Sequence, residues 1–383
     1  MESLPQVIVD HIASYVEARD LTGIYAHDFR SRPSCLPNLA TLSRKWQYAI
    51  ERRTFRSMHP LTSDELEEFE RILGKYDRQS YLRRLYYTIY LDSAMSYRVP
   101  NNDMNGGVYV KKNESAEEQG RNNQSFSDAI HKLFAIFKSW EDQSQGVVNL
   151  SLSLGNVLAR DQIRTPNGPR PGYDELTGIK FQPRFEKSLL RIVDLDKIPL
   201  VRGIVQFIAQ QRVPRPIHFL VITDILSKLP DAHTVNTELR DEDVTHSNSR
   251  RRQRHALGFA LQNGSFPALR TLKLHLKNDV DTKQASRPTN LLTDSVPVID
   301  PISEGLRHFS HQLTKLDFEG AIEATFFWTD SMFYSPDSHW PNLQELIVRF
   351  LRETPSGGWY FKDRNRSHDD EEVAQALRAL INR

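Results

Sequence analysis

The residues of this chain that could do chemistry are its thirteen histidines, a single cysteine, a run of arginines and a late concentration of aromatic rings. His308 and His311 stand three apart, so one helix face could carry both imidazoles toward a metal. No cysteine or carboxylate cluster completes a ligand set beside them, and capping or surface roles are expected instead. Cys35, in a polar loop between Pro33 and Pro37, reads as an inert thiol. One cysteine also excludes an internal disulfide and any multi-cysteine zinc site, which suits a reducing compartment. Gly-x-Gly-x-x-Gly, Gly-x-Ser-x-Gly, Walker-type and His-Glu-x-x-His patterns are all missing. The expectation is a non-enzyme with no catalytic residue, no metal and no cofactor.

Two further clusters suggest binding rather than catalysis. Arg250, Arg251, Arg252, Arg254 and His255 could form a nuclear-import or nucleic-acid patch. Glu238, Asp241, Glu242 and Asp243 stand just upstream and can screen it. The run therefore reads as the solvated face of a helix whose inner face is Ala256, Leu257, Phe259, Ala260 and Leu261. Trp328, Trp340, Trp359, Tyr360 and Phe361 read either as a partner surface or as the cover of a terminal repeat.

Fifty basic residues balance 49 acidic ones, so no global field would hold the chain to nucleic acid or an anionic membrane. Neither is expected as a partner. A mean hydropathy of −0.54 and an apolar content of 39% describe a chain with much polar surface. No stretch approaches the ~20 apolar residues of a membrane span, and the first residues lack a basic, apolar leader. Cytoplasm or nucleus is the expected location.

The elements that would position these residues divide into a helical front and a long alternating remainder. Val7, Ile8, Ile12 and Val16 recur along one side of a helix that Pro5 can open, and Leu39, Leu42, Trp46, Ala49 and Ile50 form a second stripe. Two such helices bury too little alone, so a partner surface is expected to cover them. A capped helix follows over Ser63–Leu73, then a strand over Leu82–Leu91, a helix from Ser125 to Trp140 and a strand over Val147–Leu154. Downstream, Leu269–Leu274, Leu313–Phe318 and Leu343–Val348 each read L-x-x-L-x-apolar, with weaker strands at Ile204–Phe207 and Thr234–Thr237. Helices are expected at 217–229, 250–261, 301–310 and 369–381. With Ile89, Leu150, Val205, Val235, Leu272, Leu316 and Leu346 as strand centres, the steps are 61, 55, 30, 37, 44 and 30 residues. These exceed regular leucine-rich repeats, and long insertions are expected near 101–123, 164–173 and 278–300.

Leu4-Pro5-Gln6-Val7-Ile8, Ile12, Leu42-Ser43-Arg44-Lys45-Trp46 and Ile50 resemble an F-box. Val7 stands where that family usually has an acidic residue, and Glu17 to Asn38 is longer than the usual connection. Across Ala40–Arg56 and Thr354–Phe361 the chain is similar to F-box proteins of filamentous fungi with a repeat-like C-terminal region. The resemblance implies an α/β architecture: an F-box-like helical module over 1–60, then an irregular leucine-rich-repeat-like solenoid over 61–383, with parallel strands on the concave side. It also implies a substrate-recognition adaptor of an SCF-type cullin-RING ubiquitin ligase. Leu4, Pro5, Ile8, Ile12, Leu42, Trp46 and Ile50 would then contact the Skp-type adaptor, and the solenoid would hold an unknown target protein. The alternative is a ubiquitin-independent interaction scaffold that uses the arginine run and could be nuclear.

Overall fold

The computed structural model describes residues 4–21, 36–91, 114–143, 146–159, 188–210, 215–241, 247–278, 288–292, 298–327 and 340–360. Helices α1 (Gln6–Leu21), α2 (Leu36–Ala40) and α3 (Arg44–Thr54) open the chain. Strand β1 (Ser57–Thr62) and helix α4 (Leu66–Leu73) follow, then β2 (Arg84–Leu91), α5 (Ala116–Asp142), β3 (Leu150–Ala159) and β4 (Ile204–Gln210). The rest is α6 (Leu220–Leu226), β5 (Thr234–Arg240), α7 (Ser247–Asn263), β6 (Thr271–Lys277), α8 (Pro301–Ser310), β7 (Lys315–Gly320) and β8 (Glu345–Phe350).

The eight strands among the described residues join one parallel sheet whose spatial order is the chain order, β1 to β8. Register therefore lines up one residue from each strand. Met58, Leu85, Leu152, Phe207, Val235, Leu272, Leu316 and Leu346 form one such row. Leu61, Tyr87, Leu154, Ala209, Thr237, Leu274, Phe318 and Val348 form the next. Both rows point into a single contiguous apolar core, which also takes Phe126, Phe134 and Trp140 of α5, Ile222 and Ile225 of α6 and Leu306 of α8. The Tyr87 hydroxyl donates to the Ala129 carbonyl of α5, 3.0 Å away. Because successive strand residues alternate faces, their neighbours line the opposite, open face of the sheet.

The expected L-x-x-L strands are all present, each starting two residues later than its first leucine. The phase of β4 differs from expectation. The register shifts between Leu150↔Ile204 and Ser151↔Gln206, so Val205 falls in the irregularity and Phe207 takes the central position. The insertion expected over 101–123 is corrected at its end. Ser115 caps Glu118 in a reciprocal capping box and starts α5 at Ala116, inside that range. Its first turns are polar and lack an apolar helical period; Asn122 is buried there, with its amide donating to Glu114 at 2.5 Å. Of the expected 278–300 insertion, Leu291 is buried and its N–H bonds the Pro355 carbonyl, while Asp300 caps α8. The range 164–173 and the helix expected at 369–381 lie outside the described residues.

The arginine run is the largest correction. Arg250 and Arg254 are buried, not solvated. Arg250 grips Asp241 with two bonds of 2.9 Å and reaches Glu353 at 2.5 Å. Arg254 bonds Asp241 at 3.0 Å, Asp300 at 3.0 and 3.1 Å, and the Ala321 carbonyl at 2.9 Å. Burial alone would lower the pKa of Arg250, but Asp241 and Glu353 raise it above its ordinary value. The helix is thus rotated from the expected phase, and Phe259 faces solvent. Leu257 and Leu261 are inside as expected. Two glycines allow α7 to meet α8: a Cβ on Gly258 would lie 2.1 Å from the Pro301 carbonyl oxygen, and one on Gly305 2.3 Å from that of Gly258.

Replacing Arg254 by leucine leaves Asp241 and Asp300 buried with a partner removed, which should cost about 3–5 kcal/mol in chemical denaturation. A loss under ~1 kcal/mol would contradict the network. Thr237 carries the opposite sign, since its buried hydroxyl has no hydrogen-bond partner in an otherwise apolar row. Thr237→Val should stabilise the chain by about 1 kcal/mol in the same assay.

Candidate docking surface

The front of the chain builds a separate small core. Val9 and Ala13 of α1 pack on Trp46, Ala49 and Ile50 of α3, with Leu4, Leu39 and Ala40 at its rim. Ser43 caps α3, its hydroxyl accepting from the Trp46 N–H. Polar ties fix the pair of helices: Lys45 Nζ donates to the Leu4 carbonyl at 2.9 Å, and Arg53 donates to the Asp10 carbonyl at 2.9 Å. Gln6 bridges Asp10 at 3.0 Å and the Lys45 carbonyl at 3.2 Å.

This packing divides the residues expected to contact an adaptor. Trp46 and Ile50 are 4% and 3% exposed and hold the module together from within. Leu4 is half-buried at the rim, and Pro5 is exposed with its carbonyl accepting from Ile8 and Val9. Ile8, Ile12 and Leu42 face outward at 43%, 38% and 46% exposure. Val7 joins them at 74%, a larger apolar exposure than any of those three. Periodicity placed Val7, Ile8 and Ile12 on one stripe, but it could not show that the neighbouring Val9 and Ala13 would be the buried side. The buried Trp46 indole N–H has no hydrogen-bond partner. With so few core residues, that unmet donor leaves the module marginal by itself.

A joint connects the module to the sheet. Arg78, beyond α4, bonds Glu51 of α3 at 2.5 Å and the Ile72 carbonyl at 3.3 Å. Its guanidinium stands 5.1 Å from the Phe55 ring and 5.1 Å from that of Tyr76. Tyr48 and Tyr81 meet edge to face beside it at 5.7 Å. Burial would raise the carboxyl of Glu51, but hydrogen bonds from Arg78 and Gln47 hold it below the usual range.

The open face is the second candidate surface. Over β1 to β4 its side-chain pairs include two uncharged ones: His59 stacks on Tyr86 at 4.4 Å, and Ser151 donates to Gln206 at 2.8 Å. Over β6 to β8 it is ionic, with His275 between Asp317 and Glu319 and with Arg349 and Lys277 on those carboxylates. Sequence reasoning singled out none of these residues as a site, although every strand that carries them except β1 was legible. The late aromatics assemble an end cover, Phe326 against Trp340 at 5.5 Å and Phe350 against Tyr360 at 5.2 Å. Trp359 is half-buried; Trp328 and Phe361 lie outside the described residues, as does Cys35.

His218 and Asp224 are also shifted far from their ordinary values, and each has a local cause. Burial, with Arg191 nearby, pulls His218 down to about 4 while its Nδ1 accepts the Leu220 N–H at the start of α6. Burial pushes Asp224 up to about 6 against the pull of Lys228. Neither lines the two apolar core cavities of about 20 and 10 Å³. His308 is exposed in the last turn of α8. Among the described residues, no group of three or more potential metal ligands gathers and no helix is long and apolar enough to cross a membrane.

No protein-family model matches the chain, and no curated protein matches it. Function is therefore argued from these surfaces.

Trp46→Ala should empty the small core while leaving the sheet intact. Hydrogen exchange should rise over 36–54 and stay unchanged over β3 to β7, because the two cores are separate clusters. Loosening of the sheet to the same extent would show that the module is no independent unit.

Proposed function

We propose that this chain is a substrate-recognition adaptor of an SCF-type cullin-RING ubiquitin ligase. On this reading residues 1–60 are an F-box-like module that docks on a Skp-type adaptor, and the remainder is a leucine-rich-repeat-like solenoid that holds a target protein. The observation that carries the proposal is the exposure of four apolar side chains, Val7, Ile8, Ile12 and Leu42, on a module whose own core holds Trp46 and Ile50. Exposed apolar side chains gathered on a marginal helical pair gain most by burial against another protein. Strands paired in chain order, with one face left for contacts, support the solenoid half of the reading.

Such an adaptor needs no acid or base of its own. It raises the effective concentration of a target lysine near a ubiquitin thioester held by another subunit. Arg78 and its partners would then matter as the link between the adaptor-facing module and the target-facing sheet. The ubiquitin-independent scaffold loses one support, because Arg250 and Arg254 are committed to internal carboxylates.

Contacts with the adaptor are expected at the exposed residues, so Ile8→Asp with Leu42→Asp should abolish co-purification with a Skp-type adaptor while the melting transition stays in place. A complex of undiminished strength in that variant would remove the proposal.

A further inference from the structure

We infer that the open face over β6 to β8 is a receptor for an acidic peptide segment of a target protein. This rests on reading that face as the target-binding side. What points to it is a layering of charge. Asp317 accepts from Arg349 Nη1 at 2.5 Å and faces His275 Nε2 at 3.3 Å. Glu319 accepts from Lys277 Nζ at 2.7 Å and stands 3.4 Å from His275 Nδ1. The carboxylates lie underneath, Asp317 at 11% and Glu319 at 20% exposure, whereas Arg349 is 50% and Lys277 39% exposed. Each carboxylate thus fixes a cation from below and is itself shielded from a ligand. A guanidinium held through one nitrogen keeps other N–H donors in a rigid fork suited to a carboxylate or phosphate.

The neighbouring charges on this face are three cations and two glutamates. Lys273 lies in register between Asn236 and Asp317, half-buried on the same face, and Arg240 lies opposite Lys277. Lys315 is 41% exposed and meets Glu345, 48% exposed, at 2.6 Å where β7 and β8 begin. Glu238 stands opposite His275 on β5. These two glutamates border the cationic patch and limit it to a short ligand. Strands ~4.8 Å apart make the patch roughly 10 Å wide, room for two or three anionic groups. A nucleic acid would need a longer basic track to release enough counterions. His275 adds rigidity, because its ring spans both carboxylates of β7 from β6.

The test is fluorescence anisotropy on the full chain, with no adaptor present, so a negative result leaves docking of the module as a separate question. The probes are labelled ten-residue peptides of alternating glutamate and serine, the same peptide with phosphoserine, a lysine–serine control and a ten-base single-stranded oligonucleotide. Both acidic peptides should bind, with tighter binding of the phosphoserine form marking phosphate as the preferred anion. Arg349→Glu with Lys277→Glu should weaken them at least about tenfold, and Lys75→Glu, on the exposed surface near α4, should not. If reversing both charges lowers the melting temperature, Arg349→Gln with Lys277→Gln serves in its place. Equal affinity for the lysine peptide, tightest binding of the oligonucleotide, or undiminished binding by the charge variants would overturn the inference.

Discussion

Strand pairing strictly in chain order is the constraint on which the rest of this molecule depends. Each strand meets only its sequence neighbours, so every crossover must return beside the strand it left. The result is one buried face, where the rows through Leu85, Leu152, Phe207, Val235, Leu272 and Leu316 meet the helices, and one face left to polar side chains. Parallel sheets ordinarily bury both faces. Here the second face is instead satisfied laterally, by stacked rings toward β1 and by ion pairs toward β8.

The ends of that sheet are handled differently. At its start, β1 is an edge strand that contains Pro60, tolerated because an edge strand has one side without ladder bonds. The three-helix module sits beyond that edge, tied by Arg78 and by the Tyr48–Tyr81 contact. At the far end, Trp340, Phe326, Phe350 and Tyr360 close the apolar core, and Glu353 brings the last described segment onto the buried Arg250 of α7. Asp241 and Asp300 come from the end of β5 and the start of α8, so the same ion network also pins two successive crossovers.

Much of this was legible in the sequence because it follows from periodicity. L-x-x-L segments announced β6, β7 and β8, and the striped helices α3 and α8 were placed within a few residues. β1 was missed because Ser57-Met58-His59-Pro60 alternates weakly and proline argues against a strand. Burial of Arg250 and Arg254 was illegible for a different reason. Asp241 is near in sequence but reads as a screen of surface charge, the other partners Asp300 and Glu353 are distant, and no local rule distinguishes an arginine bound for a buried carboxylate from one bound for water. Phe259 was misplaced with them, since those arginines set the rotation of α7. At the module, spacing placed the two helices, while the F-box resemblance put Trp46 and Ile50 among the adaptor contacts, and packing keeps both of them inside.

Two surfaces with distinct chemistry thus stand on one chain, an apolar one at the front and an ionic one on the last strands. If the front is a docking site for another protein, its helices are the part of the molecule that should change most on binding. The direct measurement is hydrogen–deuterium exchange of the full chain with and without a Skp-type adaptor. New protection confined to 4–14 and 36–54, with β3 to β8 unaltered, is the predicted outcome. Protection that falls on the sheet instead, or no protection at saturating adaptor, would contradict it.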